Sequence, residues 1–397
     1  MSTETRPRRF FRRRGDERRA LTRSTLPSVL FPGTAAGEDV TPRNALAIAD
    51  AYACVRVLAD SAASLPLHVY RRGADGGRER AENAAAELLR LPAPAVTQAA
   101  FIGQLMAHLQ VFGEAFVGKY RDADGQVFQL GMISPDRVSV EVRGGMPFYK
   151  IATEDGRYGT YGVGDVVHVK GLTLDGLRGV SPVRQAREAL GLADSLAKHG
   201  SSFFRNGARP AGVLKIPAGP AQEEVAEELK GAWEMRHRGA PNAGRIAVLA
   251  GEAAFEAVSM PLADAQFLGQ REHSTREVAR IFRVPPWMIG ADAGSSLTYS
   301  NTTEQARSFV TFSLRPWLVA IEQALAADVD LFPPEARTYP QFELEGLLRG
   351  DPAQRAAFYS AALNPETGWM DRSEVRRLED LPAESPPART HTIKEVS

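Results

Sequence analysis

Two long helical stretches that bracket a compact insertion are the strongest constraint on this chain. Ser181 followed by Pro182 is a helix start with proline at the first helical position, where its missing N–H is no loss. Val183, Ala186, Leu190, Ala193, Leu196, Ala197 and Phe204 then recur on one face, and Asn206-Gly207 supplies a stop. At about 1.5 Å per residue, such a helix spans roughly 37 Å. A second stretch runs from about Ala263 to Arg283, where Val284-Pro285-Pro286 ends it because proline lacks a donor and restricts the residue before it. Its middle holds Gln270, Arg271, Glu272, His273, Arg276, Glu277 and Arg280, which leaves a thin apolar stripe of Phe267, Leu268, Val278, Ile281 and Phe282. A helix of this kind needs neighbours on one side and water or another chain on the other. Between the two, strands are expected at 212–216, 245–249 and 254–259, with a helix over about 221–237. That inner helix is graded in charge, with Glu223, Glu224, Glu227 and Glu228 early and Lys230, Arg236, His237 and Arg238 late, the order its dipole favours.

Upstream, helix and strand periods alternate. Thr41-Pro42 has the form of an N-cap with proline behind it, and Ile48, Tyr52, Val55, Leu58 and Ala62 carry helical spacing to about Ser64. Cys54 falls beside that face and reads as a packed, inert thiol. As the single cysteine, it excludes an intramolecular disulfide and any cysteine-based zinc or iron–sulfur site. Leu65, Leu67 and Val69 alternate as a strand. Thr97 opens a second amphipathic helix with Phe101, Leu105, Met106 and Leu109, after which Ala115 to Tyr120 alternates again. Asp124-Gly125 predicts a hairpin, and strands are expected at 126–133, 138–143, 147–152 and 165–170.

Downstream, residues 290–301 form a Gly/Ser-rich loop with one Asp and no Lys or Arg, so it cannot grip phosphate by charge. Asn301 reads as the N-cap of a third long helix, 302–327, which Arg315-Pro316 should kink or divide. Short helices are expected around 351–363 and 371–379, before a Pro/Ser/Thr-rich tail that reads as disordered. The fold class is α+β.

The 48 basic and 48 acidic side chains of the 397 residues cancel, but unevenly. Residues 1–23 carry nine Arg, among them Arg8, Arg9, Arg12, Arg13 and Arg14, against three acids, so a +6 arm precedes a −6 body. Such an arm is either a solvated extension or an electrostatic contact to nucleic acid or an acidic surface. The chain has no phosphate-binding loop, no dinucleotide fingerprint, no His-Glu-x-x-His and no nucleophile elbow, and its seven histidines are scattered. No catalytic residue, metal or cofactor is therefore expected. No apolar run reaches membrane-spanning length, and the Arg-rich start lacks the apolar core of a secretory signal, so a soluble, non-exported protein is expected.

Several blocks, taken in order, resemble a known family. These are Ala53-Cys54-Val55-Arg56 with Ser64-Leu65-Pro66-Leu67, His168-Val169-Lys170-Gly171, and Gly176-Leu177-Arg178-Gly179-Val180-Ser181-Pro182. Phe203-Phe204-Arg205-Asn206-Gly207, Asp264-Ala265-Gln266-Phe267, the run from Val278 to Pro286, and Glu304-Gln305 continue the series. Over about residues 40–380 the chain is similar to the portal proteins of tailed double-stranded DNA phages, which also occur in gene transfer agents. Behind a basic arm that reads as disordered (1–37), and is longer and more basic than the family leads one to expect, the resemblance implies an α+β wing (38–175), a stem helix (176–207), an inserted α/β clip (208–261) and a second stem helix (262–286). A channel loop (287–301), a long kinked helix returning to the wing (302–340), a helical crown (341–383) and a disordered tail (384–397) would follow.

The same resemblance implies a dodecameric ring at one capsid vertex of a phage-like particle, assembled in the bacterial cytoplasm, with no membrane involved. Double-stranded DNA would pass through it without sequence specificity. The major capsid protein, the terminase large subunit and the head–tail adaptor protein would be its partners, and ATP hydrolysis would belong to the motor rather than to this chain. The expected channel loop is Gly294, Ser295, Ser296, Leu297, Thr298, Tyr299, Ser300 and Asn301. Arg271, Glu272, Arg276, Glu277 and Arg280 would meet neighbouring subunits in the stem, and Glu223, Glu224, Glu227, Arg236 and Arg238 would dock partners at the clip. Two other readings stay open. A head–tail adaptor ring is usually smaller and lacks an insertion between two long helices, and a DNA-processing enzyme such as a nuclease needs a carboxylate cluster that the sequence does not mark.

Overall fold

A computed structural model describes residues 34–73, 77–153, 156–206, 212–215, 254–257, 261–291, 299–344 and 352–378. The expected N-cap at Thr41 is not used as one. Its N–H and hydroxyl both donate to Asn44 Oδ1, at 2.7 and 3.0 Å, and the α-helix begins only at Ala49. The Asn44 side chain competes for the local donors and holds the entry in turn and 3-10 geometry. Helix α1 (Ala49–Ala63) then buries Ala51, Cys54, Val55, Leu58 and Ala62.

Strands β1 (Leu67–Arg72) and β2 (Arg78–Arg80) follow. A short helix absent from the sequence expectations, α2 (Ala84–Arg90), is capped by the Asn83 side chain. Helix α3 (Gln98–Phe112) starts as expected, with Thr97 accepting from the Ala100 N–H, and ends on Gly113 at φ +81°. Its buried residues, Phe101 through Val111, pack against α1.

Six strands succeed α3: β3 (Glu114–Arg121), β4 (Val127–Ile133), β5 (Val138–Arg143), β6 (Met146–Ala152), β7 (Tyr158–Tyr161) and β8 (Val166–Lys170). They form two three-stranded antiparallel sheets, ordered β4-β3-β8 and β5-β6-β7. The expected in–out alternation of β3 is not observed, since every residue from Glu114 to Tyr120 except the last is buried. The reason is that both faces are covered. Ala115 and Val117 join the main core, while Phe116 points into a small second core with Val138, Tyr149, Ile151, Tyr161 and Val166.

Ser181 and Pro182 start a helix as the sequence indicates, with Ser181 Oγ accepting from the Arg184 N–H at 3.2 Å. One turn later Ala186 (φ −95°, ψ 9°) leaves helical geometry, which divides the stretch into α4 (Pro182–Gln185) and α5 (Arg187–Asn206). Of the insertion, β9 (Gly212–Lys215) pairs antiparallel with β10 (Ala254–Ala257). Helix α6 (Pro261–Phe282) packs against α5 and α1 through Ser274, Val278, Ala279 and Phe282. Leu268, expected in its apolar stripe, is 63% exposed. At about 100° per residue it sits more than a quarter-turn from the line of Phe267, Ser274 and Val278.

The third long helix begins earlier than expected. Tyr299, Ser300 and Asn301, read as the end of a loop, form the first turn of α7 (Tyr299–Ser308). Ser, Asn and Thr are well tolerated in a first turn, whose N–H groups need no intrahelical acceptor, and Glu304-Gln305-Ala306-Arg307 behind them are good helix formers. A π-helical segment, Phe309–Leu314, takes the place of the expected kink and leads into α8 (Arg315–Ala326). Pro316 cannot donate to a carbonyl four residues back, and the wider turn absorbs that deficit. Strand β11 (Thr338–Phe342) then pairs antiparallel with β1, giving a sheet of order β11-β1-β2. Helices α9 (Pro352–Ala362) and α10 (Arg372–Leu378) complete the described chain. Asp371 and Glu374 form a reciprocal capping box at α10, with bonds of 2.8 and 2.9 Å. One apolar core running from Ala45 to Phe342 joins α1–α6 and α8 to the sheets β11-β1-β2 and β4-β3-β8. Among the described residues, no helix is long and apolar enough to cross a membrane, and no group of three His, Cys, Asp or Glu side chains could hold a metal ion.

Candidate functional site

The most constrained feature of the molecule is the segment between β8 and α4, residues 171–181. Its anchor is Glu114, the first residue of β3, whose side chain is only 3% exposed. Glu114 accepts from His168 Nε2 at 3.1 Å, from Arg178 Nε at 2.7 Å, from Arg178 Nη2, and from the Gly179 N–H at 3.0 Å. Burial pushes the carboxyl pKa up, but the His168 and Arg178 hydrogen bonds, the Arg178 charge and the Gly179 amide together leave it below the usual carboxylate range. His168 also ends below its ordinary range. Burial lowers its pKa, and Glu114 offsets this only in part, so the ring is neutral at pH 7 and stacks on Phe116 with centroids 4.2 Å apart.

Two glycines let the backbones meet. A Cβ on Gly179 would lie 2.0 Å from the Gly113 carbonyl oxygen, and one on Gly113 would lie 2.1 Å from the Val180 oxygen. Gly171 N–H donates to the Gly113 carbonyl at 2.9 Å, and Ser181 Oγ–H donates to the Val111 carbonyl at 2.7 Å. The loop is also tied to itself. Asp175 Oδ1 accepts from the Leu177 and Arg178 amides, Lys170 Nζ donates to the Gly176 carbonyl, and Val180 N–H donates to the Leu172 carbonyl. Tied down by these bonds, the loop holds Leu172, Leu174 and Leu177 outward, 70%, 86% and 36% exposed.

A second buried charge cluster lies at the far end of β3. Lys119 Nζ, 1% exposed, donates to Asp328 at 2.5 Å and to Asp330 at 2.6 Å, and Arg121 adds a 2.6 Å bond to Asp330. Burial raises the Asp330 pKa, but the two cations outweigh it and leave the carboxyl low. This cluster fixes the turn after α8 onto β3. Cys54 is fully buried, and desolvation reinforced by Asp50 pushes its thiol up to about 12, so it is unreactive at neutral pH.

A groove of about 500 Å³ lies between α5 and α6, lined by Leu192, Leu196, Gly269, Gln270, His273 and Ser274. It opens where the α5 apolar face runs out of neighbours. Val183, Leu190 and Ala193 are buried, but Leu192 is 44% exposed and Leu196 half-buried.

The family model for phage portal proteins matches residues 49–380. The chain belongs to the phage portal protein family. A probable portal protein of Streptomyces phage phiC31 is 33% identical over 370 residues, which cover 89% of this chain and 79% of that one. A chain from the virion of a native gene transfer agent particle superposes with a TM-score of 0.63 at 25% identity, covering 86% of this chain and 92% of its own. A chain from the neck of a native gene transfer agent particle, computed with twelvefold symmetry, gives 0.61 at 23% identity over 87% of this chain and 95% of its own.

Within this portal fold, the sequence-predicted site residues are described unevenly. Arg271, Glu272, Arg276 and Arg280 are exposed on α6 and Glu277 is half-buried, with Arg276 and Glu272 pairing along the helix at 3.7 Å. Helix α6 is tied to α1 by Thr275 Oγ1–H donating to Asp50 at 2.9 Å. Tyr299, Ser300 and Asn301 belong to α7 rather than to a loop. Gly294, Ser295, Ser296, Leu297 and Thr298 lie outside the described residues, as do Glu223, Glu224, Glu227, Arg236 and Arg238 and the arm with Arg8, Arg9, Arg12, Arg13 and Arg14. Sequence reasoning missed the Glu114 and Lys119 clusters. The available signal was a strand with a charge at each end and no polar residue between Glu114 and Lys119.

Proposed function

We propose that this chain forms the portal ring of a phage or gene transfer agent particle, a conduit for double-stranded DNA and a docking platform at one capsid vertex. The observation that carries the reading is the match to the portal family across residues 49–380. The gene transfer agent neck determined with twelvefold symmetry, whose chain shares this fold, supports twelve subunits as the count. The exposed charge on α6 suits a stem surface that meets copies of itself. Its alternating sign would set the register of a heterologous ring. The Gly/Ser-rich channel segment with a single Asp would touch DNA sterically. A basic lining that neutralised many phosphates would instead hold the duplex and make passage steeply salt-dependent.

The finer assignments belong to the same proposal. Arg271, Glu272, Arg276, Glu277 and Arg280 contact adjacent subunits. Glu223, Glu224, Glu227, Arg236 and Arg238 dock the terminase large subunit and then the head–tail adaptor. Gly294 to Thr298 face the channel, and the Arg-rich arm contacts DNA or an acidic capsid surface. The family is structural, and hydrolysis of ATP is assigned to the motor. Electron microscopy of the purified full chain tests the reading. Rotational classes showing a ring with an opening wide enough for duplex DNA are expected. A uniform monomer that stays monomeric when co-produced with the capsid protein would overturn it.

A further inference from the structure

A rigid loop with three outward leucines is unusual on a free surface, where contiguous exposed apolar patches mark interaction sites. Residues 171–181 cannot fold these leucines inward. Glu114 holds Arg178 and Gly179, the Gly113–Gly179 backbone contact leaves no slack, and Asp175 closes the tip. The same chain carries a groove of about 500 Å³ between α5 and α6 whose floor is Leu192 and Leu196 and whose far wall is kept low by Gly269 and Ser274. Knuckle and groove sit on different elements, which is the arrangement a head-to-tail contact between identical chains requires. The knuckle tip presents Asp175, and the α6 wall of the groove offers it the polar side chains of Gln270 and His273.

We propose that the leucine knuckle of one subunit, Leu172, Leu174 and Leu177, seats in the α5–α6 groove of the next copy and forms the apolar centre of the ring contact. The proposal rests on the portal reading for its occupant, a second copy of this chain. The contact places apolar anchors at the middle and leaves the Arg and Glu residues of α6 at the rim, the usual division of an interface.

Cross-linking in the full chain tests it. Cys54 is buried and unreactive, so Leu174→Cys and Gln270→Cys can be introduced without removing it. With a short bismaleimide, the double variant is expected to give a ladder of covalent multimers on a denaturing gel, and each single variant only monomer. A covalent dimer from Leu174→Cys alone would overturn the proposal in favour of a symmetric contact. Rings by microscopy with no ladder would overturn the knuckle contact and leave the portal reading standing, whereas neither rings nor a ladder, from a chain that also stays monomeric when co-produced with the capsid protein, would overturn both.

A mixing experiment separates this contact from general stickiness. Leu174→Asp (knuckle lost) and Leu192→Asp (groove lost) are each expected to lose ring closure by native mass spectrometry. Mixed, they should pair once through the remaining knuckle and groove to give a heterodimer. Closed rings from either variant alone would overturn the proposal, as would a mixture that stays monomeric. Both positions are exposed, and unchanged circular dichroism and melting temperature confirm folding of each variant.

Discussion

Strand β3 and helix α6 are both rich in charge for their position, and they treat it in opposite ways. Glu114 and Lys119 of β3 are buried, and each is surrounded by partners brought from far along the chain, Arg178 in one case and Asp328 and Asp330 in the other. The α6 charges are exposed, and the pair they form, Arg276 with Glu272, lies along the helix itself at 3.7 Å. A buried ion whose partner is removed is left stranded in a poor solvent, while an exposed one is rehydrated at almost no cost. The charges of β3 therefore fix the fold of one subunit, and those of α6 remain available to another chain.

The largest break in that contrast should come from Lys119→Met. It leaves Asp328 buried beside Asp330 without a cation and is expected to cost about 3–5 kcal/mol in urea unfolding. Gly179→Ala should come next, because its Cβ would meet the Gly113 carbonyl oxygen at 2.0 Å. A loss of about 1–3 kcal/mol is expected, with faster proteolysis of the 171–181 loop as the companion readout. Ser181→Ala removes both the cap of α4 and the bond to Val111, for about 1 kcal/mol in the same assay.

The pH dependence sharpens the comparison further. The His168 pKa is lower in the folded chain than in the unfolded one, so as pH falls below about 6.5 the unfolded state takes a proton that the folded state refuses, and stability drops. The Glu114 contribution is present above the unfolded carboxylate value, and it is lost at lower pH as its depressed folded pKa is crossed. His108, also lowered by burial, adds to the first effect with the same sign. His168→Gln should therefore make the stability–pH slope between about 6.5 and 5 shallower, by at most about 1.4 kcal/mol per pH unit, while retaining the fall at more acid pH. The smallest effect is expected at α6, where Arg276→Ala should change subunit stability by less than about 0.5 kcal/mol. The same variant should still alter ring formation measured by native mass.

What could be read from the sequence follows the same division. Periodicity located α1, α3, the hairpin at Asp124-Gly125 and the two long helices, because each is specified by neighbours within a few residues. It failed where the deciding contact is remote. Leu268 looked apolar enough to be buried, yet no described element covers its side of α6. Thr41 had every local mark of a helix cap, but Asn44 took its donors. Glu114 and Arg178 are 64 residues apart and Lys119 and Asp328 are 209, so no local pattern joins either pair. The family blocks made one of them visible in hindsight, since Gly-Leu-Arg-Gly-Val-Ser-Pro contains both the cation that Glu114 holds and the glycine that lets it approach.

The π-helical segment at Phe309–Leu314 has a consequence for how this chain tolerates change in length. A π turn holds about one residue more than an α turn, so it advances the phase of everything on one side by about 100° relative to the other. The segment buries Phe309, Val310, Ser313 and Leu314 and leaves Phe312 63% exposed, which keeps both flanking helices continuous across it. Loss of one residue there would barely shorten the helix. It would turn α7 like a dial against α8.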